Sequence, residues 1–90
     1  MKILVLNCGS SSIKYKLYDM ADESVLAQGG AERVGLDEAF VKVTLKDGSK
    51  EKIMHDMPDH KEGVKFVFQL LLDPKYGALK SLDEIDAVGH

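Results

Sequence analysis

The amino-acid sequence predicts an α/β chain in which several β-strands come first and one amphipathic helix leads to a further strand. Three observations predict this class. Apolar and polar residues alternate in short segments of the first 55 residues, as they do along half-buried strands. Apolar residues recur at helical spacing over residues 64–72, and a short apolar segment follows at residues 85–88.

Two predicted strands open the chain. Residues 1–6 form an almost unbroken apolar run, which predicts a strand buried on both faces. Residues 13–18 alternate between apolar side chains and Lys14, Lys16 and Tyr18, which predicts a second strand with one buried face. The polar segment between the two runs predicts a turn.

A third strand is predicted after a polar turn at residues 19–23. Residues 25–34 have the composition of a strand, but two adjacent glycines interrupt it at Gly29 and Gly30. Glycine inside a strand weakens it or marks a β-bulge, so we expect one of these irregularities there. Gly35 ends the segment.

A β-hairpin is the next predicted feature. Residues 40–46 alternate between the two faces of a strand, and a second strand is predicted at residues 50–55. Between them, Asp47-Gly48 has the composition of a type I′ turn, whose backbone twist suits a hairpin.

One helix is predicted after the hairpin. Asp59 is a suitable N-cap, and Glu62 three residues later completes a capping-box pattern. The apolar stripe that should lie on the sheet consists of Val64, Val67, Phe68, Leu71 and Leu72. Asp73-Pro74 ends the helix because proline cannot continue it. Ser81 and Glu84 then frame a short turn or helical stub before the final strand.

Composition restricts the classes of partner. Of the 90 residues, 12 are Lys or Arg and 15 are Asp or Glu, which gives a net charge of −3. The charges are mixed along the sequence, and no basic block indicates a nucleic-acid or anionic-membrane partner. Cys8 is the only cysteine, so an internal disulfide is excluded and a reducing compartment is favoured. The short apolar N-terminus predicts neither a signal peptide nor a membrane span, and we expect a cytoplasmic protein.

The turn between the first two strands carries the strongest functional signal. It combines a flexible backbone with consecutive hydroxyl groups, in the residues Gly9, Ser10, Ser11 and Ser12. Such a turn can form an anion-binding concavity, and Lys14 adds a positive charge nearby. From the residues alone, a hairpin turn with solvated serines is the more common interpretation, and Asn7 could simply bond neighbouring backbone groups.

The three histidines do not suggest a metal site. His55, His60 and His90 lie on different predicted elements and lack the spacing of metal ligands.

The opening of the chain resembles that of acetate kinases, which belong to the larger group of acetate and sugar kinases, Hsp70 and actin. Residues 2–15 carry most of this resemblance with the sequence KILVLNCGSSSIKY. It continues in AERVG at residues 31–35, in PDH at residues 58–60 and in IDAVGH at residues 85–90. The resemblance implies a ribonuclease H-like (actin-like ATPase) domain, with a mixed sheet that begins with antiparallel strands and a crossover helix.

The resemblance also implies an activity. Acetate kinases transfer a phosphoryl group from ATP to acetate and give acetyl phosphate and ADP, reversibly, with Mg²⁺ as cofactor. By resemblance, Asn7 is the residue near the magnesium ion, through water, and Lys14 approaches the nucleotide phosphates. The phosphate-facing turn is formed by Gly9, Ser10, Ser11 and Ser12. A homodimer is implied in the same way.

The resemblance further implies that residues 1–90 are the N-terminal part of one domain. The chain is expected to end inside a strand, without an internal domain boundary. Catalytic residues, including an arginine that follows the Gly-His pair in acetate kinases, are expected beyond His90, so the isolated segment should be inactive. Two alternatives remain open: a kinase for propionate or butyrate, and a non-catalytic binding, assembly or structural module.

Overall fold

A computed structural model of the chain describes residues 1–45 and 47–89. Within these residues the chain forms one helix, α1 (His60–Leu72), a 3₁₀ turn at Leu82–Glu84 and six strands. The strands are β1 (Lys2–Cys8), β2 (Ser12–Asp19), β3 (Ser24–Glu32), β4 (Phe40–Thr44), β5 (Lys50–Met54) and β6 (Ala87–Gly89).

The described strands form one mixed sheet in the order β5-β4-β3-β2-β1-β6. Neighbours from β1 to β5 are antiparallel, and β6 pairs with β1 in parallel. Helix α1 is the crossover that carries the chain from β5, at one edge, to β6 beside β1. The predicted α/β class, with antiparallel strands first and a crossover helix, is therefore confirmed.

The sheet has one covered face and one open face. Helix α1 packs on the covered face through Gly63, Val67, Leu70 and Leu71. On the sheet side this core contains Leu4, Leu6, Ile13, Tyr15, Leu17, Ala27, Ala31, Val41 and Val43. Burial alternates along β2 because successive strand side chains point to opposite faces.

The prediction that the first strand is buried on both faces was wrong. Leu4 and Leu6 are 0% and 4% exposed, but Val5 between them is 36% exposed. The apolar run hid this alternation, because Val5 points to the open face and α1 covers only the opposite one.

The irregularity predicted at Gly29 and Gly30 lies elsewhere. The β2–β3 register shifts between Leu17 and Tyr18, which pair with Ala27 and Val25 and leave Leu26 as the extra residue. Gly29 has a different function. An ideal Cβ on it would lie 2.7 Å from the Tyr15 hydroxyl oxygen, so the missing side chain makes room for the Tyr15 ring.

The predicted hairpin is confirmed, but its turn is not of type I′. The Leu45 amide donates to the Ser49 carbonyl at 2.8 Å, so the loop contains three residues. A type I′ turn at Asp47-Gly48 would be a two-residue loop, which the register of β4 and β5 does not allow, and Gly48 has a φ of +88°. Lys46, which the fourth predicted strand included, lies outside the described residues.

The helix limits match the prediction closely. The Asp59 carboxylate accepts a hydrogen bond from the Glu62 amide at 2.9 Å. The reciprocal capping box, with both side chains bonded to backbone, occurs instead at Ser81 and Glu84. Leu72, predicted in the buried stripe, is 37% exposed because the contact with the sheet is centred on Gly63, Val67, Leu70 and Leu71.

The last strand begins two residues later than predicted. The Ile85 amide still closes the 3₁₀ turn by donating to Leu82, and the Asp86 amide donates to the Lys2 carbonyl at 2.8 Å. Strand β6 then starts at Ala87. The prediction that the chain ends inside a strand concerns His90, which lies outside the described residues.

Candidate functional site

The β1–β2 turn is closed by its own backbone. The Gly9 amide donates to the Ser12 carbonyl at 2.8 Å, which brings the two ends of the turn together. An ideal Cβ on residue 9 would lie 2.6 Å from Ser12 Oγ, so a larger residue would have to displace that hydroxyl. A side chain at position 9 would therefore require the Ser12 hydroxyl to adopt another rotamer.

Two polar side chains flank this turn on the open face of the sheet. In the β1–β2 ladder, Asn7 pairs directly with Lys14. Directly opposed residues share a face, and their Cβ atoms lie about 5 Å apart. Both side chains are exposed, so an amide and an ammonium stand side by side next to the turn.

The open face around this pair is concave and positively charged. A cavity of about 480 Å³ lies there, and four lysines contribute to its lining: Lys14, Lys16, Lys42 and Lys50. Asn7, Gln28 and Thr44 add neutral polar groups, and the part of the chain that the structure describes contributes no acidic residue to the lining. Such a surface attracts anions.

The register of the strands assembles these lysines. Gly30 pairs with Lys14 on β2 and with Lys42 on β4, so it separates the two lysines without a side chain of its own. An ideal Cβ on Gly30 would lie 3.7 Å from Lys14 Cγ. The sequence did not reveal this concavity, because its lysines come from strands that are far apart in the chain. Glu32 lies on the same face beside them, with its Oε1 3.9 Å from an ideal Cβ on Gly30.

The structure brings only part of the predicted site into the concavity. Asn7 and Lys14 line it, whereas the turn residues Gly9, Ser10, Ser11 and Ser12 lie outside its lining. Ser10 is exposed, and Ser11 and Ser12 are half-buried. The predicted residues are therefore neighbours along one edge of the sheet, arranged as a turn and an adjoining polar pair.

Two donors from other elements hold the back of the turn. The Val34 amide donates to the Ser11 carbonyl at 2.9 Å. His60 Nε2 lies 2.7 Å from the Gly9 carbonyl oxygen. The spacing of His60 was tested only for metal binding, and this contact was not predicted, although the Pro58-Asp59-His60 segment was a signal that this helix start is distinctive.

The protein groups present suit a hydrated metal ion better than a directly bound one. Among residues 1–45 and 47–89, no three His, Cys, Asp or Glu side chains are close enough to hold a metal. Asn7 offers one neutral amide oxygen, and Lys14 opposite it would repel a cation. These residues fit an Mg²⁺ ion that keeps most of its water and takes its anionic ligands from phosphate groups.

Tyr15 is part of the wall of the cavity, but its hydroxyl group is buried. Its side chain points to the covered face and is 3% exposed. Burial raises the pKa of the Tyr15 hydroxyl to about 12, so the group stays protonated at neutral pH. Within the described residues, this hydroxyl has no hydrogen-bond partner.

Known proteins match the chain over nearly its whole length. The family model described as the acetokinase family matches residues 2–90. The chain belongs to the acetokinase family. The acetate kinases of Bacteroides thetaiotaomicron and Phocaeicola vulgatus are each 60% identical to it over 90 residues. This acetokinase chain spans 23% of the length of these relatives.

Solved structures show the same fold. The crystal structure of Porphyromonas gingivalis acetate kinase matches 99% of this acetokinase chain with a TM-score of 0.96 and 55% identity, and the match covers 22% of that chain. A propionate kinase from Francisella tularensis subsp. tularensis matches 99% of it with a TM-score of 0.79 and 30% identity, over 21% of that chain. The expected actin-like ATPase fold, present here in part, is thereby confirmed.

No helix among the described residues of the acetokinase chain combines the length and the apolar character needed to cross a bilayer.

Proposed function

We propose that the whole protein transfers the γ-phosphoryl group of ATP to the carboxylate of acetate, giving acetyl phosphate and ADP, and that the reaction is reversible. Residues 1–90 supply the strand–turn–strand that faces the phosphates. Family membership and the 60% identity to curated acetate kinases support this proposal.

The observation that carries the proposal is the register pair of Asn7 and Lys14 beside the β1–β2 turn. Phosphoryl transfer depends mainly on positioning and on neutralising charge. Lys14 supplies a mobile positive charge to the nucleotide phosphates. The backbone amides and hydroxyls of Gly9, Ser10, Ser11 and Ser12 supply neutral donors to the same phosphate chain.

Asn7 would orient the hydrated Mg²⁺ ion. When bound, this ion neutralises phosphate charge during transfer. The Asn7 amide can accept a hydrogen bond from a water ligand, and it stands opposite Lys14, so both could face the same phosphate chain.

We place the residues that act on the transferred phosphoryl group outside residues 1–90. The cavity beside the turn has no carboxylate in its described lining, and the curated relatives are roughly four times as long, since the chain spans 23% of them. The 90-residue chain alone would then lack transfer activity. We also expect, from the family, a homodimeric cytoplasmic protein.

Acyl-chain specificity is tested by steady-state kinetics of the whole protein with acetate, propionate and butyrate. Acetate should give the highest kcat/KM. The propionate kinase match makes propionate the second candidate. One methylene in a hydrophobic pocket changes kcat/KM by about 10- to 200-fold, so the ratio is measurable. A higher kcat/KM for propionate or butyrate would replace acetate as the substrate, and no ATP-dependent turnover with any of the three would reject the kinase proposal.

A non-catalytic module is the remaining alternative. It predicts that the whole protein binds neither ATP nor ADP. Calorimetric titration of the whole protein with ADP and Mg²⁺ separates the two proposals, because a kinase must bind this product.

A further inference from the structure

We infer that His60 is a positioning residue that holds the β1–β2 turn in its phosphate-binding shape through a hydrogen bond to Gly9. This inference rests on the phosphate-facing function proposed above for that turn. The bond joins residues 51 positions apart, at the first residue of α1 and the first residue of the turn.

The chemistry of the contact fixes the direction of the bond. His60 Nε2 and the Gly9 carbonyl oxygen are 2.7 Å apart, at the short end of the range for N–H···O bonds. A carbonyl oxygen can only accept, so Nε2 must carry the hydrogen. A neutral His60 is therefore held in the Nε2–H tautomer.

The start of α1 is packed tightly against the turn, which orients His60. Gly63 lies one helical turn after His60, and an ideal Cβ on it would be 2.6 Å from Ile13 Cδ1. Ile13 follows the turn directly and is fully buried. The Asp59 cap fixes the first turn of the helix. The imidazole thus projects from a rigid support.

Holding the Gly9 carbonyl also orients the next amide. In a trans peptide the C=O and N–H groups point in opposite directions, and no described peptide bond is cis. When His60 draws the Gly9 carbonyl toward α1, the Ser10 N–H must point away from α1. The Val34 amide acts in the same way on the Ser11 carbonyl and therefore on the Ser12 N–H.

The result is a turn in which two carbonyls are bound by donors from other elements, and the amide of each of these peptides points away from its donor. An anion-binding turn requires backbone amides that are free to face the ligand. Without His60, the Gly9–Ser10 peptide could rotate and present its carbonyl oxygen to the phosphates. His60 therefore acts on nucleotide binding through Gly9 and need not touch the nucleotide.

The test is a comparison of His60→Ala, His60→Gln and His55→Ala in the whole protein. His55 is the matched control, because it stacks on Phe66 with ring centroids 3.7 Å apart and is not hydrogen-bonded to the turn. We expect His60→Ala to raise the KM for ATP about tenfold, the effect of one lost hydrogen bond. His60→Gln retains an N–H donor and should recover most of this loss, while His55→Ala should leave the KM for ATP unchanged.

The outcomes separate positioning from general stabilisation. If His60→Ala lowers the melting temperature but leaves the KM for ATP unchanged, His60 is structural and the inference is overturned. Failure of His60→Gln to improve on His60→Ala also counts against it.

A second readout does not depend on kinase activity. In the whole protein labelled with ¹⁵N-histidine, long-range ¹H–¹⁵N NMR spectra should show His60 as the Nε2–H tautomer at a pH where it is neutral. An Nδ1–H tautomer would overturn the inference even in an active kinase. A protein with the Nε2–H tautomer but no ATP-dependent turnover would instead refute the proposed function alone.

Discussion

Lys14 is the residue on which the proposed chemistry depends most. It is exposed, lies beside the turn and faces Asn7 across the β1–β2 ladder. We predict that Lys14→Ala in the whole protein lowers kcat at least about tenfold, which corresponds to about 1.4 kcal/mol of transition-state stabilisation. Lys16→Ala is the matched control, since Lys16 lies on the same face two pairs further from the turn, opposite Val5. Equal kinetics for wild type and Lys14→Ala would remove Lys14 from the site.

Asn7 should affect the metal requirement of the reaction. We predict that Asn7→Ala raises the Mg²⁺ concentration needed for half-maximal rate, because the amide no longer orients a water ligand of the ion. Initial rates at fixed ATP and varied Mg²⁺ measure this. A change in melting temperature alone, with the same Mg²⁺ dependence, would indicate that Asn7 serves only the backbone around it.

Tyr15 makes the free energy of unfolding depend on pH in the alkaline range. Its pKa is raised from 10.0 to about 12 in the folded chain, so its contribution is complete below pH 10 and is lost as pH rises toward 12. Between pH 10 and pH 12, we predict that the free energy of unfolding of the wild type falls by about 2 to 3 kcal/mol more than that of Tyr15→Phe. Denaturant unfolding at pH 9 and above measures it; parallel curves for Tyr15→Phe and wild type would refute the prediction.

Glu84 joins the 3₁₀ turn at Leu82–Glu84 to strand β1. Its carboxylate accepts from the Lys2 ammonium at 3.0 Å and from the amides of Lys80 and Ser81 at 2.6 and 3.0 Å. The Lys2 bond and then the two amides lower the pKa of Glu84 to about 2. The contribution of Glu84 is therefore present above about pH 4.5 and lost as pH falls toward 2.

We predict that Glu84→Gln lowers the melting temperature at pH 7 and flattens its decline between pH 4.5 and pH 2, the interval between the ordinary and the shifted pKa. Asp83→Asn is the control, because Asp83 is an exposed carboxylate at the adjacent position. Melting curves from pH 7 to pH 2 test this. If both variants lose the same stability, the Glu84 network adds nothing beyond general charge.

Some elements of the fold could be predicted from the sequence and others could not. The helix was predicted well because its start and end depend on local chemistry, the Asp59 cap and Pro74. The burial of β1 was predicted wrongly, because an apolar run does not tell whether a second layer covers Val5. The turn near Gly48 was predicted wrongly because the Asp-Gly pair suits more than one hairpin loop.

The candidate site was predictable where it is continuous in sequence. Asn7, Lys14 and the turn between them stand within eight residues, and the ladder brings Asn7 and Lys14 together. The lysines contributed by β4 and β5, and the bond from His60 to Gly9, required the strand order and the crossover helix. No local pattern encodes these long-range neighbours.

The whole molecule has one sheet face covered by α1 and one face left open. All the buried residues of α1 lie against one side of the sheet, and the cavity with its lysines occupies the other.

We predict that residues 1–90 expressed alone form no detectable acetyl phosphate from ATP and acetate and bind ATP weakly or not at all. Colorimetric assay of acetyl phosphate and calorimetry with ATP test this. Transfer by the 90-residue chain would contradict our placement of the reacting groups outside it.

The proposed function requires that the β1–β2 turn with Asn7 and Lys14 faces the phosphates of the nucleotide. A crystal structure of the whole protein with ADP and Mg²⁺ tests it most directly. We predict that the Lys14 ammonium lies within hydrogen-bonding distance of a phosphate oxygen and that Asn7 faces a water ligand of the Mg²⁺ ion. A nucleotide bound with its phosphates away from this turn, and Lys14 directed to solvent, would contradict the account.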